Sequence, residues 1–248
     1  MKKRVDILLV DRGLAESRSQ AQRLCMAGDV LANGQVVYKP GTEVLMDTEL
    51  ILKQKPPFVS RGGEKLEAAL KAFGLIDLRD KVCVDIGAST GGFVDCLLQH
   101  HAARIYAVDV GYGQLHEKLR QDTRVVNMER TNARTIEGFP EAIDLVTIDA
   151  SFISLTILLP VVKSWHMHGM LQVVALVKPQ FEVGREIAAR GRGVVKDENI
   201  REQVVKEILE FAETEGYTTL GVIDSPLLGP KGNKEFLIYL EVGRQTSV

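Results

Sequence analysis

Seven short apolar runs spread between Lys81 and Val242, separated by helical patterns, are the feature that leaves this chain the fewest folds. The runs are KVCVDIG, RIYAVDV, RVVNM, AIDLVTIDA, MLQVVALVK, TTLGVID and EFLIYLEV. Helical patterns fall in GEKLEAALKAFG, GFVDCLLQHH, the segment from Phe152 to Ser164, and DENIREQVVKEILEFAETEG. The last opens on Asp197 as a cap and repeats Ile200, Val204, Ile208 and Phe211 at helical spacing. Strands alternating with helices predict an α/β unit with a mostly parallel seven-stranded sheet covered on both faces.

The first part of the chain has a different texture. Ile7, Leu8 and Leu9 give one apolar helical face, Gly13 ends that helix, and Ser17 is a good N-cap for the next. Arg18, Gln20 and Arg23 then point to solvent or a ligand, and Ala21, Leu24 and Cys25 to a core. In DVLANGQVV the Asn33-Gly34 pair between apolar runs predicts a tight hairpin, KPGTEV turns the chain again, and TELILK closes the module as a strand. Pro56-Pro57 and Gly62-Gly63 mark a joint near residues 55 to 60, giving two domains, 1–57 and 58–248.

Charge adds little, since the net value is -2 with nine Lys/Arg against seven Asp/Glu in residues 1 to 60. Cys25, Cys83 and Cys96 have no CxxC spacing and His166 and His168 have no second cluster, so buried thiols and no metal site are expected. MKKRVDILLVDRG begins basic and apolar, but Asp6 and Asp11 interrupt it and no cleavage site follows. A cytoplasmic protein is expected.

SRSQAQRLCMAGDVLANGQVVYKPG resembles the S4 RNA-binding domain, over roughly residues 4 to 55. That resemblance implies a small N-terminal α+β module gripping RNA phosphates with Arg4, Arg18, Gln20, Arg23 and Lys39, contacts that position without specifying sequence. Arg61, in the joint, is a further RNA-contact candidate.

VCVDIGASTGGF is a strand, an acid and a glycine-rich loop opening a helix, the crevice where open parallel sheets bind ligands. Gly87, Gly91 and Gly92 do not make the dinucleotide fingerprint, so a cofactor without pyrophosphate is preferred. Asp109, 22 residues beyond Gly87 at the end of the second strand, suits two ribose hydroxyls. Together these pieces resemble the Rossmann-like S-adenosylmethionine-dependent methyltransferase fold. The resemblance implies that Asp85, Gly87, Ser89, Thr90, Gly91, Gly92 and Phe93 form the methionine side of the cofactor site, that Asp109 holds the ribose, and that Asn132 meets adenine.

Strand ends at the carboxyl edge carry Asp149 and Lys178, while Glu235 opens the last strand and Lys65 lies on the helix before the first. These positions resemble the Lys-Asp-Lys-Glu tetrad of FtsJ-like ribose 2′-O-methyltransferases. A ribose hydroxyl is a poor nucleophile and needs a group that orients it and manages its proton. Lys178 is expected to be the central base or electrostatic anchor, with Asp149 and Glu235 orienting it and Lys65 holding the acceptor.

Both modules in this order, joined by FVSRGGEKL, are similar to the TlyA family, often labelled hemolysin A. The resemblance implies methylation of a cytidine 2′-hydroxyl in ribosomal RNA, with ribosomal RNA or a ribosomal subunit as partner. Two other readings stay open. Membrane lysis needs an exposed amphipathic or spanning segment, and none is found; the longest apolar stretch, VTIDASFISLTILLPVV, is broken by Asp149 and Pro160. An RNA-binding protein with an inactive methyltransferase domain is the other, against which the intact tetrad speaks.

Overall fold

The structure, a computed structural model, describes residues 2–53, 56–183 and 192–243. The chain forms two compact units, Met1–Pro56 and Pro57–Val248. The joint read at 55 to 60 begins at Lys55, which lies outside the described residues.

The first unit opens on a strand that the sequence reading leaves out, β1 (Lys2–Arg4), paired antiparallel with β4 (Glu43–Leu45). Lys-Lys-Arg carries no apolar alternation, so only the partner strand makes it extended. Helix α1 (Val5–Asp11) follows, and its inner face is Val5, Leu8 and Leu9, with Ile7 turned partly outward. That corrects the contiguous face expected, because residues at i, i+3 and i+4 share a helical side. Helix α2 (Arg18–Ala27) starts where expected, with Ser17 Oγ accepting from the Gln20 N–H, and ends at left-handed Gly28. Asn33 and Gly34, both at positive φ, make the two-residue turn between β2 (Val30–Ala32) and β3 (Gln35–Val36), while β5 (Leu50–Leu52) pairs with β2 on its other side.

In the second unit α3 (Gly62–Ala72) precedes β6 (Val82–Ile86), α4 (Gly92–Gln99), β7 (Arg104–Val108), α5 (Glu117–Arg120) and β8 (Val125–Met128). After these come β9 (Leu145–Ile148), α6 (Leu155–Ser164), β10 (Leu171–Val177), α7 (Pro179–Glu182), α8 (Glu198–Thr214), β11 (Thr218–Asp224) and β12 (Phe236–Val242). The seven strands lie in the order β11-β12-β10-β9-β6-β7-β8, with β12 antiparallel to both neighbours. All seven runs picked out in the sequence are strands of this sheet. Helix α6 begins at Leu155, later than the Phe152 expected, because Ser154 caps it and Phe152 takes a left-handed φ of 64°. The short α5 and α7 were not legible, since four residues show no period.

Alternate residues of each strand feed opposite cores. Val173, Ala175 and Val177 of β10 face the side covered by α6 and α8, whereas Val174 and Leu176 face α3 and α4. The three cysteines are buried and free. No helix among the described residues is long and apolar enough to cross a membrane.

Candidate active site

Register brings the expected residues to one rim. Ile148 lies opposite Ile86 and Ile86 opposite Val108, so Asp109, Gly87 and Asp149, the next residue on each strand, stand at one level. Val177 lies opposite Phe236, which sets Lys178 across from Glu235 because β12 runs the other way. Pro179, at the first position of α7, fits a site where a helix N–H would be unsatisfied anyway. Lys178 is therefore the last residue of the β10 line before the chain turns over the rim.

The tetrad resolves into two pairs. Lys178 Nζ lies 2.5 Å from Asp149 Oδ1 and donates to Ser151 Oγ at 3.1 Å. Lys65 Nζ donates to Glu235 Oε2 at 2.6 Å, and Glu235 is wholly buried. Glu235 was expected to orient Lys178, but the partners of its carboxylate among the described residues are Lys65 and Gln180. The position of α3 decides this, by carrying Lys65 onto the carboxylate first. All four residues line a cavity of about 540 Å³, together with Arg61, Ser60, Gly87, Ser89, Thr90, Gly92 and Phe93.

A second cavity of about 460 Å³ shares Gly87, Ser89 and Asp149 with the first and is lined further by Asp109, Gln114, Asn132 and Phe152. Asp109 accepts from the Ser89 N–H at 2.7 Å and the Gly111 N–H at 2.6 Å, tying the glycine loop to the turn after β7. Asn132 caps a short turn by accepting from the Arg134 N–H at 3.0 Å, and its amide N–H₂ has no partner among the described residues. Gly91 and Asp85 line neither cavity.

The loop glycines answer to the protein's own packing as much as to a ligand. A Cβ on Gly87 would come within 2.7 Å of the Asp149 carbonyl oxygen, and one on Gly92 within 2.8 Å of the Gly63 nitrogen. The loop is thus pressed against the end of β9 on one side and the start of α3 on the other. Bare backbone is what lets the elements carrying Asp149 and Lys65 meet the loop.

Asp85 is the unusual carboxyl. Its Oδ1 accepts from the Thr147 hydroxyl at 2.6 Å, its Oδ2 is buried without a partner among the described residues, and burial pushes its pKa up to about 7. Between the ordinary carboxylate range and that value the folded state holds a proton that the unfolded chain has released. Stability therefore falls as pH rises from about 4 to about 7. The full cost, roughly 4 kcal/mol for a rise from 3.8 to about 7, is present above that window. Asp85→Asn removes it, so its thermal midpoint should exceed that of the natural protein at pH 8 and converge with it toward pH 4. A gap independent of pH would show that Asp85 does not titrate there.

In the first unit Asp6 reorganises the expected basic face. It is fully buried and accepts from Arg4 through two bonds of 2.9 Å, from Arg18 at 3.1 Å and from Gln22 at 3.2 Å. Those bonds, the Arg4 pair foremost, hold its carboxyl well below the usual range despite burial. Gln20 accepts from the Glu16 N–H at 2.7 Å and so serves the start of α2. Arg23 and Lys39 are exposed and have no side-chain partner among the described residues. Lys39 lines a groove of about 690 Å³ with Lys2, Asn33 and the exposed Tyr38.

Sequence reasoning missed Ser151, Gln114, Gln180 and Tyr38. Ser151 lies two residues past a strand-end acid and could have been found by asking what else that loop carries. Gln180 gave no signal, because its partner Glu235 lies far along the chain.

The FtsJ-like methyltransferase family model matches residues 58–242 and the S4 domain model residues 3–50. A Bacillus subtilis chain bearing an rRNA methyltransferase name is 49% identical over 246 residues, covering 96% of this chain and 85% of its own length. The 16S/23S rRNA (cytidine-2′-O)-methyltransferase TlyA of Mycobacterium tuberculosis is 46% identical, covering 96% of this chain and 89% of its own. A solved structure from Streptococcus thermophilus that carries a hemolysin name superposes with a TM-score of 0.73 at 48% identity, over 98% of this chain and 89% of that one. Matched in sequence across both units, the chain belongs to the TlyA family of FtsJ-like methyltransferases, with an S4 domain ahead of the methyltransferase domain.

Proposed function

We propose that the protein methylates a ribose 2′-hydroxyl of ribosomal RNA, at a cytidine, using S-adenosylmethionine. The observation that carries this is the pair of cavities joined at Gly87, Ser89 and Asp149, one rimmed by two lysine–carboxylate pairs and the other by Asp109.

The residues fit the cofactor. Asp109 and Asn132 offer an acceptor and an amide to a ribose and a base, Ser89 lines both cavities, and Thr90 and Phe93 line the tetrad cavity beside it. When bound, S-adenosylmethionine supplies an electrophilic methyl group on a positively charged sulfur.

The chain's own groups handle the acceptor. Lys65 uses one N–H on Glu235 and has two left for the acceptor oxygen or a neighbouring phosphate. Lys178, fixed by Asp149 and Ser151, places positive charge where negative charge builds as the hydroxyl proton leaves, and that proton passes to a carboxylate oxygen of Asp149, the basic member of the pair. Such preorganised charge lowers the barrier without reorganising during reaction.

The first unit supplies RNA affinity. Arg23 and Lys39, free of partners, are the phosphate contacts, Arg4 and Arg18 reach RNA only while also held by Asp6, and Tyr38 is a surface on which a base stacks. Arg23→Ala with Lys39→Ala should weaken rRNA binding and flatten its salt dependence by a slope of about 2, since two fewer phosphates are neutralised. An unchanged slope in a filter-binding salt series would place RNA elsewhere. Arg61 lines the reaction cavity and contacts the acceptor strand. An rRNA substrate in a bacterial relative's pattern implies a cytoplasmic location.

The direct test supplies cofactor labelled on the methyl group and undermethylated ribosomal subunits, followed by nucleoside analysis. Label in 2′-O-methylcytidine is expected. Label on a base, or none with an intact folded protein, overturns the proposal.

A further inference from the structure

We infer that Gln180 is a positioning residue for the Lys65–Glu235 pair, holding the carboxylate so that Lys65 keeps two N–H groups for the acceptor. The inference rests on the methyl-transfer reading above and assigns a role to a residue outside the tetrad.

Gln180 is the second residue of α7 and only 8% exposed. Its Nε2 donates to Glu235 Oε1 at 3.3 Å, while Lys65 Nζ donates to Glu235 Oε2 at 2.6 Å. Among the described residues each carboxylate oxygen thus has a single donor, one from α7 and one from α3. The amide orientation follows from the chemistry, because a flipped Gln180 would set a carbonyl oxygen against a carboxylate.

Water cannot replace the amide easily. A Cβ on Gly229 would lie 1.9 Å from Glu235 Oε1, so the backbone of the loop before β12 closes directly over that oxygen. Without the Gln180 donor, the buried Oε1 has no hydrogen-bond donor of its own among the described residues, and Lys65 is the cation already bound to the other oxygen of the same carboxylate. A carboxylate gripping Lys65 through both oxygens takes a second N–H and draws Nζ back from the cavity.

Packing alone does not explain the side chain. Gln180 Oε1 is buried with no partner, a penalty that an apolar residue of similar size would avoid. A glutamine kept there at that cost fits a position where the amide N–H is required.

The charged groups around this carboxylate are Lys65 from α3 and Arg61 just before it, with Lys178 and Asp149 from the neighbouring strand ends on the same cavity. Gln180→Leu and Gln180→Glu test the role against each other. Gln180→Leu should lower kcat on the order of 10²-fold with cofactor affinity by calorimetry unchanged, the scale of a small misplacement at a reacting centre. In Gln180→Glu two carboxyls share one site, so one stays protonated at low pH and donates an O–H to Glu235 as the amide does. Its kcat should approach the natural value at low pH and fall as pH rises, giving a limb that the natural protein lacks. A merely structural glutamine would move neither the split between kcat and cofactor affinity nor the pH profile.

Natural kcat in Gln180→Leu, or an unaltered pH profile in Gln180→Glu, overturns the inference. Should the natural protein itself fail to methylate ribosomal subunits, the functional reading falls instead. The contact is then read from thermal unfolding of Gln180→Leu, Glu235→Gln and the double variant, where coupling supports it and additivity overturns it.

Discussion

Lys178→Ala is expected to lower methyl transfer by about 10²- to 10⁴-fold, the usual contribution of a positioned proton-handling group, while cofactor affinity stays within a factor of a few. The separation follows from geometry. Lys178 lines the tetrad cavity and is absent from the lining of the cavity that holds Asp109 and Asn132. Its loss leaves Asp149 without an ammonium partner, but that side chain is 22% exposed and can be solvated, so the variant should fold. Lys178→Arg is the sharper companion, because it keeps the charge and changes the shape. A planar fork cannot occupy the same position between Asp149 Oδ1 and Ser151 Oγ. Single-turnover transfer of labelled methyl, with calorimetry for the cofactor, checks both variants. Near-natural turnover in Lys178→Ala removes this lysine from the mechanism.

Asp109→Ala should act on the other cavity, weakening cofactor binding by about 10²- to 10³-fold. The carboxylate does two jobs there. It ties the Ser89 and Gly111 N–H groups together at 2.7 and 2.6 Å, and it presents its remaining lone pairs to the cavity. Hydrogen bonds to a charged acceptor contribute about 1.5–3 kcal/mol each, and each 1.4 kcal/mol is tenfold in affinity. Turnover at saturating cofactor should recover most of the natural rate, the opposite split from Lys178→Ala. Unchanged calorimetric affinity would refute the ribose assignment.

The two splits also test the division of labour drawn across Gly87. That glycine stands level with both Asp109 and Asp149, and no side chain fits between it and the Asp149 backbone. A group bound on one side therefore reaches the other across bare backbone.

The sequence by itself determined the seven strands, the glycine loop, the cap of α8 and the placement of Asp149 and Lys178 just past their strands. Each follows from a local pattern: apolar alternation fixes which residues enter the sheet, and the first residue past each run stands at the rim. Asn33-Gly34 fixed its hairpin for the same reason, since a two-residue turn is decided by its own φ angles. Only the tertiary structure decided how the rim residues pair. Lys65 and Glu235 are 170 residues apart and meet because α3 lies over β12, not because of any spacing. Likewise Asp6 claims Arg4 from β1 and Arg18 from a helix face that looks free, and Gln180 reaches Glu235 from a turn too short to show a period. Side-chain partnership depends on strand order and on which helix covers which strand end, and a pattern confined to neighbouring residues carries neither.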